Sequence, residues 1–369
     1  MVEVLLAGGG TAGHVNPLLA VADELRRREP GTGITVLGTA TGLEARLVPQ
    51  RGYPLVEIPR VPLPRRPSLD WFRLPFRLRA AVSIVERSIA ERSVDVVVGF
   101  GGYVSTPAYL AARRRGIPIV MHEQNARPGL ANRLGARWAA AVAVTFPGTP
   151  IRGAQVTGLP LRPEIAALLG ELETDRAATR ARAASALGLD PDLPTLLVTG
   201  ASSGALSLNR AVSAAAAMLL DSGAQVLHLT GAGKADPVRA AIAGLAGAER
   251  YHVLEYLDTM QDGLAVADLA ICRAGAGTIV ELAAAGVPSV FVPLPVGNGE
   301  QRLNAAPVVA AGGGLLVADA DLSPDWLREN VLPLLGDPAG LSAMSAAART
   351  VGTRDGARLV ADLVLGAVR

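Results

Sequence analysis

The chain opens with a short apolar run, Val2–Leu6, that passes straight into Ala7-Gly8-Gly9-Gly10-Thr11-Ala12-Gly13-His14, then into an amphipathic stretch and a second apolar run, Ile34–Gly38. No other feature constrains the fold as much. A strand, a glycine loop, a helix and a strand in that order make a βαβ unit, which predicts a parallel sheet. Asn16 and Pro17 read as helix cap and first helical residue, with Leu18, Leu19, Ala22 and Leu25 as the buried stripe. The glycine spacing is not Gly-x-Gly-x-x-Gly, and no acid ends the second strand. A nicotinamide is therefore not expected, and no cofactor is.

The same pattern recurs. Val94–Val98 leads into Gly99-Phe100-Gly101-Gly102-Tyr103 and a helix opened by Thr106 and Pro107, and the strands Ile117–Met121, Ala139–Thr145 and Gln155–Thr157 follow. Gly158-Leu159-Pro160-Leu161-Arg162-Pro163 reads as a turn or linker. Glu171–Ser185 reads as one solvated helix. Thr195–Thr199 begins a second series, with the loop Gly200-Ala201-Ser202-Ser203-Gly204-Ala205 and strands at Gln225–Thr230, Tyr251–Leu254 and Asp268–Cys272. The expected class is therefore α/β, with parallel sheets in two domains, and a chain of 369 residues has the length for both.

Composition narrows the function classes. A net charge of +2 does not point to nucleic acid, and Lys234 is the single lysine. The lone Cys272 excludes an internal disulfide and fits a small apolar residue at a strand end. No export signal is expected, and the longest apolar run, Leu282–Gly297, carries three prolines and is too short to span a bilayer. Asp190/Asp192 and Asp319/Asp321 fit turns and caps better than a metal site, so no metal is expected.

Chemistry concentrates in Cys272–Asn304. Arg273-Ala274-Gly275-Ala276-Gly277 is a glycine loop at the start of a helix reading Thr278–Ala285, which Gly286 stops. Free N–H groups and the positive end of the helix dipole suit a phosphate. Glu281 is an acceptor for a ribose or sugar hydroxyl, and Gln301 and Asn304 share a helix face suited to sugar hydroxyls. The set reads as a nucleotide-sugar site.

His14 follows the first glycine loop at the carboxyl end of a strand, where ligands bind in open parallel sheets. An imidazole there can take a proton from an attacking hydroxyl, while the alternative is a histidine that serves only the helix start. His122-Glu123-Gln124-Asn125 reads as a polar loop at the mouth of the sheet, with Glu123 as a second acid–base candidate or a hydrogen-bonded structural acid. Residues 60–79 carry six arginines against one acid, Asp70, with Trp71, Phe72, Leu74, Phe76 and Leu78 between them. The prolines keep this segment from reading as one clean helix. It is either a crossover helix with its aromatics in the core or a patch that meets anionic lipid head groups.

With these residues assembled, the chain resembles the MurG family of bacterial cell-wall transferases over nearly its full length. The most specific pieces are GGGTAGHVNPLLAVA at Gly8–Ala22, HEQNARPGLANR at His122–Arg133, GLPLR at Gly158–Arg162, and CRAGAGTIVEL with EQRLNA in the stretch above. The resemblance implies two Rossmann-like domains of the glycosyltransferase B type: an acceptor- and membrane-facing one at 1–158, and a UDP-sugar-binding one at 159–351. The last helix, about 352–369, would pack back on the first.

It implies inverting transfer of N-acetylglucosamine from UDP-N-acetylglucosamine to the 4-hydroxyl of undecaprenyl-pyrophosphoryl-N-acetylmuramoyl-pentapeptide. The enzyme would sit peripherally on the cytoplasmic side of the cell membrane, through Trp71, Phe72, Phe76 and nearby arginines. The backbone near Leu257 would read the uracil. Ser202, Ala276 and the helix start Gly277, Thr278, Ile279 and Val280 would meet the donor around its phosphates, and Glu281 the ribose. Gln301, Asn304 and Arg162 would complete the donor side. Thr11, Ala12, Gly13 and Asn125 would close over the sugar, and His14 or Glu123 would act as base.

Two departures from the family pattern touch the donor: Ser203 stands where glutamine is commoner, and Glu300 where many relatives have glutamine. A UDP-N-acetylglucosamine 2-epimerase and a sugar-nucleotide sensor without turnover are the alternatives of similar architecture.

Overall fold

The computed structural model describes residues 2–61, 70–201 and 204–368, with the side chains of Asp70 and Trp71 outside the description. The chain divides into two compact units, Met1–Arg162 with Arg354–Arg369, and Pro163–Thr353. Leu159–Arg162 thus go with the first unit, past the expected division at 158.

In the first unit the strands β1 (Glu3–Ala7), β2 (Gly33–Gly38) and β3 (Leu55–Glu57) alternate with helices α1 (Ala12–Arg28) and α2 (Leu43–Gln50). Helix α3 (Asp70–Arg92) leads to β4 (Val96–Gly99), α4 (Ser105–Arg115), β5 (Ile119–Glu123), α5 (Leu130–Gly135), β6 (Ala141–Val144) and β7 (Gln155–Val156). The sheet order is β3-β2-β1-β4-β5-β6-β7, and every pairing is parallel, Val4 lying opposite both Ile34 and Val96. The two-residue period sends Val4 and Leu6 to one face and Leu5 and Ala7 to the other, and all four are buried.

The second unit begins with α6 (Pro163–Thr174) and α7 (Arg176–Leu187). These replace the single helix expected over Glu171–Ser185. Asp175 leaves the helical conformation and its side chain accepts from the N–H of Ala178, which caps α7. There follow β8 (Thr195–Thr199), α8 (Leu206–Ala214), α9 (Ala216–Asp221), β9 (Gln225–Leu229), α10 (Asp236–Ile242), β10 (Tyr251–Leu254), α11 (Met260–Val266) and β11 (Leu269–Cys272). The unit closes with α12 (Ala276–Ala285), β12 (Ser289–Phe291), α13 (Glu300–Ala310), β13 (Gly314–Leu316), α14 (Pro324–Asn330), α15 (Leu332–Leu335) and α16 (Pro338–Val351). Its parallel sheet runs β10-β9-β8-β11-β12-β13. The last helix, α17 (Gly356–Val368), belongs to the first unit: Val360, Ala361, Val364 and Leu365 pack in one core with Leu18 and Leu25 of α1, and Arg28 pairs with Asp362 at 2.7 Å.

Both sheets reverse direction once. In the first unit strand order runs outward from β1 on one side and β4 on the other; in the second, from β8 and β11. In open α/β sheets the loops after the strands at such a reversal diverge, and ligands bind there. In the first unit these loops hold Gly8–Thr11 and Phe100–Val104; in the second they include Gly200, Ala201 and Arg273–Gly275.

Two helices differ from expectation. Thr11, not Asn16, caps α1, and Pro17 lies inside the helix. Gly10, at φ +91°, makes the sharp turn by itself, so the helix starts directly after the loop. Helix α3 runs unbroken through Pro75.

Candidate active site

His14 is the third residue of α1 and is half-buried. Its Nδ1 lies 3.0 Å from the Thr11 hydroxyl. Burial lowers the affinity of the imidazole for a proton, while the Gly9 carbonyl and the Glu44 carboxylate oppose that shift. The ring is thus neutral at neutral pH, the form that can accept a proton. Gly101, at φ +89°, faces it from the loop after β4: a Cβ there would stand 3.3 Å from His14 Nε2 and 3.2 Å from Asn132 Nδ2. Only glycine lets this backbone lie between the two side chains. Thr11 and Gly13 are exposed and Ala12 half-buried, so all three can be reached by a ligand.

The segment expected as a polar loop is partly strand. His122 and Glu123 close β5 and are buried, because pairing with β6 continues to Glu123 opposite Val144. The Glu123 carboxylate accepts from the N–H of Asn125 at 2.9 Å, the N–H of Gly129 at 3.0 Å and Asn132 Nδ2 at 2.9 Å. Burial raises its proton affinity, and these hydrogen bonds pull it back. With its acceptor sites filled by the chain, Glu123 fixes the loop 124–129 and, through Asn132, the surface facing His14. Tyr109 holds the other end of that amide, its hydroxyl donating to Asn132 Oδ1 at 2.8 Å. Asn125 follows in the same loop, half-buried, and Arg162 is half-buried at the end of the unit.

In the second unit, Gly275 precedes α12 in an extended conformation; no side chain caps it and no acid occupies the first turn. The amide groups of Ala276, Gly277 and Thr278 therefore open a helix end suited to an anion. A Cβ at Gly277 would meet nothing within 4 Å, so its backbone is open to close approach. Ile279 and Val280 are buried beneath the first turn, and Glu281 is half-buried one turn further on. Gln301 Oε1 accepts from the N–H of Ala274 at 3.2 Å and of Leu294 at 3.0 Å, and the buried Asn304 donates to Ala274 O at 3.4 Å. Both amides thus converge on the glycine loop from α13. Leu257 stands half-buried in the turn after β10, beside the exposed Tyr256. Ser202 and Ser203 lie outside the described residues.

Arg273 shows what sets this loop in place. Its guanidinium pairs with Asp319 at 2.5 Å, donates to Ser207 Oγ at 2.8 Å and reaches the carbonyls of Val292 and Pro293 at 3.1 and 3.3 Å. Asp319 lies in the turn that follows β13, as expected, and is also the partner of this buried arginine. No cluster of three or more His, Cys, Asp or Glu residues that could hold a metal ion exists among the described residues. A hollow of about 760 Å³ opens beside Leu294, Arg302, Asp319 and Trp326, but its walls include none of Gly275, Ala276, Glu281 or Gln301.

Among the described side chains of α3, the exposed large apolar groups are Phe72 and Phe76, at 76% and 78% exposure. They do not face the core, whereas Leu74 and Leu78 on the same helix pack against it. Ser68, Arg65 and Arg66 lie outside the described residues.

Sequence reasoning missed Glu44, Tyr103 and Asn132. Glu44 is completely buried beneath the first glycine loop and accepts from the N–H of Gly10 at 3.0 Å. The signal was available in Gly42-Leu43-Glu44, an acid between glycine and an apolar helix face, but it reads equally as a solvated first-turn acid.

Two family descriptions match the chain: the glycosyltransferase family 28 N-terminal domain over residues 4–144 and the C-terminal domain of the same family over 195–360. A curated relative from Clavibacter michiganensis subsp. michiganensis is 60% identical, covering 100% of this chain and 97% of its own. A relative from Streptomyces avermitilis is 53% identical, covering 99% of this chain and 98% of its own. Both are named UDP-N-acetylglucosamine--N-acetylmuramyl-(pentapeptide) pyrophosphoryl-undecaprenol N-acetylglucosamine transferase. Among solved structures, MurG of Acinetobacter baumannii superposes with a TM-score of 0.78 at 29% identity, covering 99% of this chain and 100% of that one. A UDP-GlcNAc 2-epimerase from Neisseria meningitidis reaches 0.71 at 16% identity, covering 99% of each chain, which is a likeness of fold alone.

Proposed function

Because the chain belongs to glycosyltransferase family 28, we infer that it transfers N-acetylglucosamine from UDP-N-acetylglucosamine to undecaprenyl-pyrophosphoryl-N-acetylmuramoyl-pentapeptide, the step from lipid I to lipid II of peptidoglycan synthesis. The observation that carries this reading is 60% identity over the whole chain to a transferase of that name. Geometry supplies the chemistry: a neutral imidazole at the reversal point of one sheet, and an uncapped helix end on a glycine loop at that of the other.

The acceptor 4-hydroxyl attacks the anomeric carbon from the face opposite the departing UDP, and its proton passes to His14. The bond from that carbon to the phosphate oxygen breaks, inverting the centre. Negative charge on the leaving diphosphate is met by the amides of Ala276, Gly277 and Thr278, with the Ser202 hydroxyl as a further donor and Ile279 and Val280 setting the turn beneath. Glu281 takes the ribose hydroxyls, and the backbone at Leu257 takes the uracil. Gln301 and Asn304 hold the sugar side of the loop, and Arg162 completes the donor set. Thr11, Ala12, Gly13 and Asn125 contact the sugar and the acceptor. Glu123 orients this half through Asn132; its hydrogen bonds support that role over the role of base.

The lipid acceptor places the enzyme on the cytoplasmic face of the cell membrane, held peripherally. No helix among the described residues is long and apolar enough to cross a bilayer. Phe72 and Phe76, exposed on α3 with Arg73 and Arg77 between and beside them, suit shallow entry into an anionic surface; Trp71, whose side chain lies outside the described residues, precedes them in the sequence. UDP release from UDP-N-acetylglucosamine, followed with and without a short-chain lipid-linked muramoyl acceptor, tests the function. Release only with acceptor supports it; turnover of the sugar nucleotide alone contradicts it.

A further inference from the structure

Glu44 sits in the first turn of α2 and is 0% exposed. A carboxylate buried to that degree normally has a cationic partner. Among the described residues Glu44 is met instead by the chain itself. Oε2 accepts from the N–H of Gly10 at 3.0 Å, and Oε1 accepts from the N–H of Thr39 at 3.1 Å and its hydroxyl at 2.9 Å. Three glycines clear the space: a Cβ on Gly9, Gly38 or Gly42 would fall 2.7, 2.5 or 2.1 Å from a Glu44 atom. Tyr103 closes the far side, its hydroxyl 3.4 Å from Thr39 Oγ1 and its ring 3.0 Å from where a Gly10 Cβ would be. This one carboxylate therefore joins the residue after β2 to the first glycine loop, and Thr39 carries the link on to Tyr103 in the loop after β4.

We propose that Glu44 is a positioning residue for the transfer reaction: it pins Gly10 and Thr39 so that the glycine loop and His14 keep their reacting geometry. The proposal rests on the reading of His14 as base. The groups around His14 are Thr11 and the Gly9 carbonyl from its own loop, Glu44 from α2, and Asn132 of α5 across Gly101 with Glu123 behind it. Tyr103 is the other titratable group at this loop. Of the charges, Glu44 acts on the ring. Neither the pinning nor this charge effect requires Glu44 to touch substrate.

The test compares E44Q, E44D and T39V in the full chain. Glutamine keeps the shape but removes the charge and sets an NH2 group against donors. We expect E44Q to bind UDP as the wild type does, to lose roughly 10–100-fold in kcat, and to shift the His14 ring titration, read by NMR, to lower pH. T39V keeps the charge, so its His14 titration stays in place with a smaller loss of kcat. Should E44Q not fold, E44D withdraws the carboxylate by one methylene and keeps the charge; it should lose kcat while its His14 titration stays near that of the wild type. A folded E44Q or E44D with wild-type kcat, or an E44Q whose His14 titration does not move, overturns the proposal. A wild type without acceptor-dependent UDP release defeats the functional reading instead, and the His14 titration still decides what Glu44 does.

Discussion

His14 and Glu123 are carboxyl-end residues of the same sheet whose burial shifts them in opposite directions, the imidazole toward neutral and the carboxylate toward protonation. Their surroundings differ. His14 is half-buried beside the exposed Thr11 and Gly13, whereas Glu123 is sealed by four donors from its own chain. H14A should therefore lower kcat by roughly 10²–10⁴-fold, the range for a removed general base, with UDP affinity preserved. Single-turnover rates alongside UDP binding check it. The wild-type rate should fall only below the ordinary histidine range on the acid side, because the free imidazole is already depressed. The position of His14, at the helix start after the first strand, was legible in the sequence because a glycine loop after a strand marks that place. Glu44 was not, since nothing in Gly42-Leu43-Glu44 tells a solvated acid from one enclosed by Gly9, Gly38 and Gly42. That difference arises only when distant segments meet.

At the scale of elements, the strand–loop–helix units were readable because buried parallel strands are continuous apolar runs and their glycine loops punctuate them. Helix starts were less so. Pro17 is a strong start signal in isolation, yet Gly10 turns the chain earlier and the proline falls inside α1. Prolines likewise argued against a continuous α3, but the packing of Leu74 and Leu78 holds it through Pro75. The exposure of Phe72 and Phe76 leads to a prediction at this scale. Serine at Trp71, Phe72 and Phe76 should weaken binding to vesicles of anionic lipid and leave turnover of a soluble short-chain acceptor unchanged; undiminished vesicle binding by the folded variant would refute the patch. Helix α13 carries a second prediction. Because Gln301 accepts two backbone N–H groups, Q301A should raise the KM for UDP-N-acetylglucosamine and cost about 1–3 kcal/mol of stability, measured by denaturant unfolding.

Over the whole molecule, each unit carries a buried histidine held neutral by desolvation: His122, bound to the Gly158 carbonyl, and His228, between Tyr251 and Asn209, both lowered to about 4. Unfolded, each takes up a proton near 6.5, so between about 6.5 and 4 the unfolded chain binds more protons and stability falls with falling pH. The raised Glu123 acts in the opposite sense, above the ordinary carboxylate range. The melting temperature should be level above about pH 7 and drop on acidification. H228Q should drop less steeply than wild type, a comparison in which Glu123 cancels. Two parallel sheets were legible from the repeated units; the passage of the chain's end, α17, onto the face of α1 came from resemblance rather than from any pattern in Gly356–Val368 itself, whose apolar stripe could cover any sheet. Inverting transfer to a lipid-linked sugar is read from the product that forms when UDP-N-acetylglucosamine and a short-chain muramoyl acceptor are supplied together. Mass and NMR should show a β-1,4 disaccharide still joined to the lipid pyrophosphate. An α-linked product, or an altered sugar nucleotide formed without acceptor, would contradict the account.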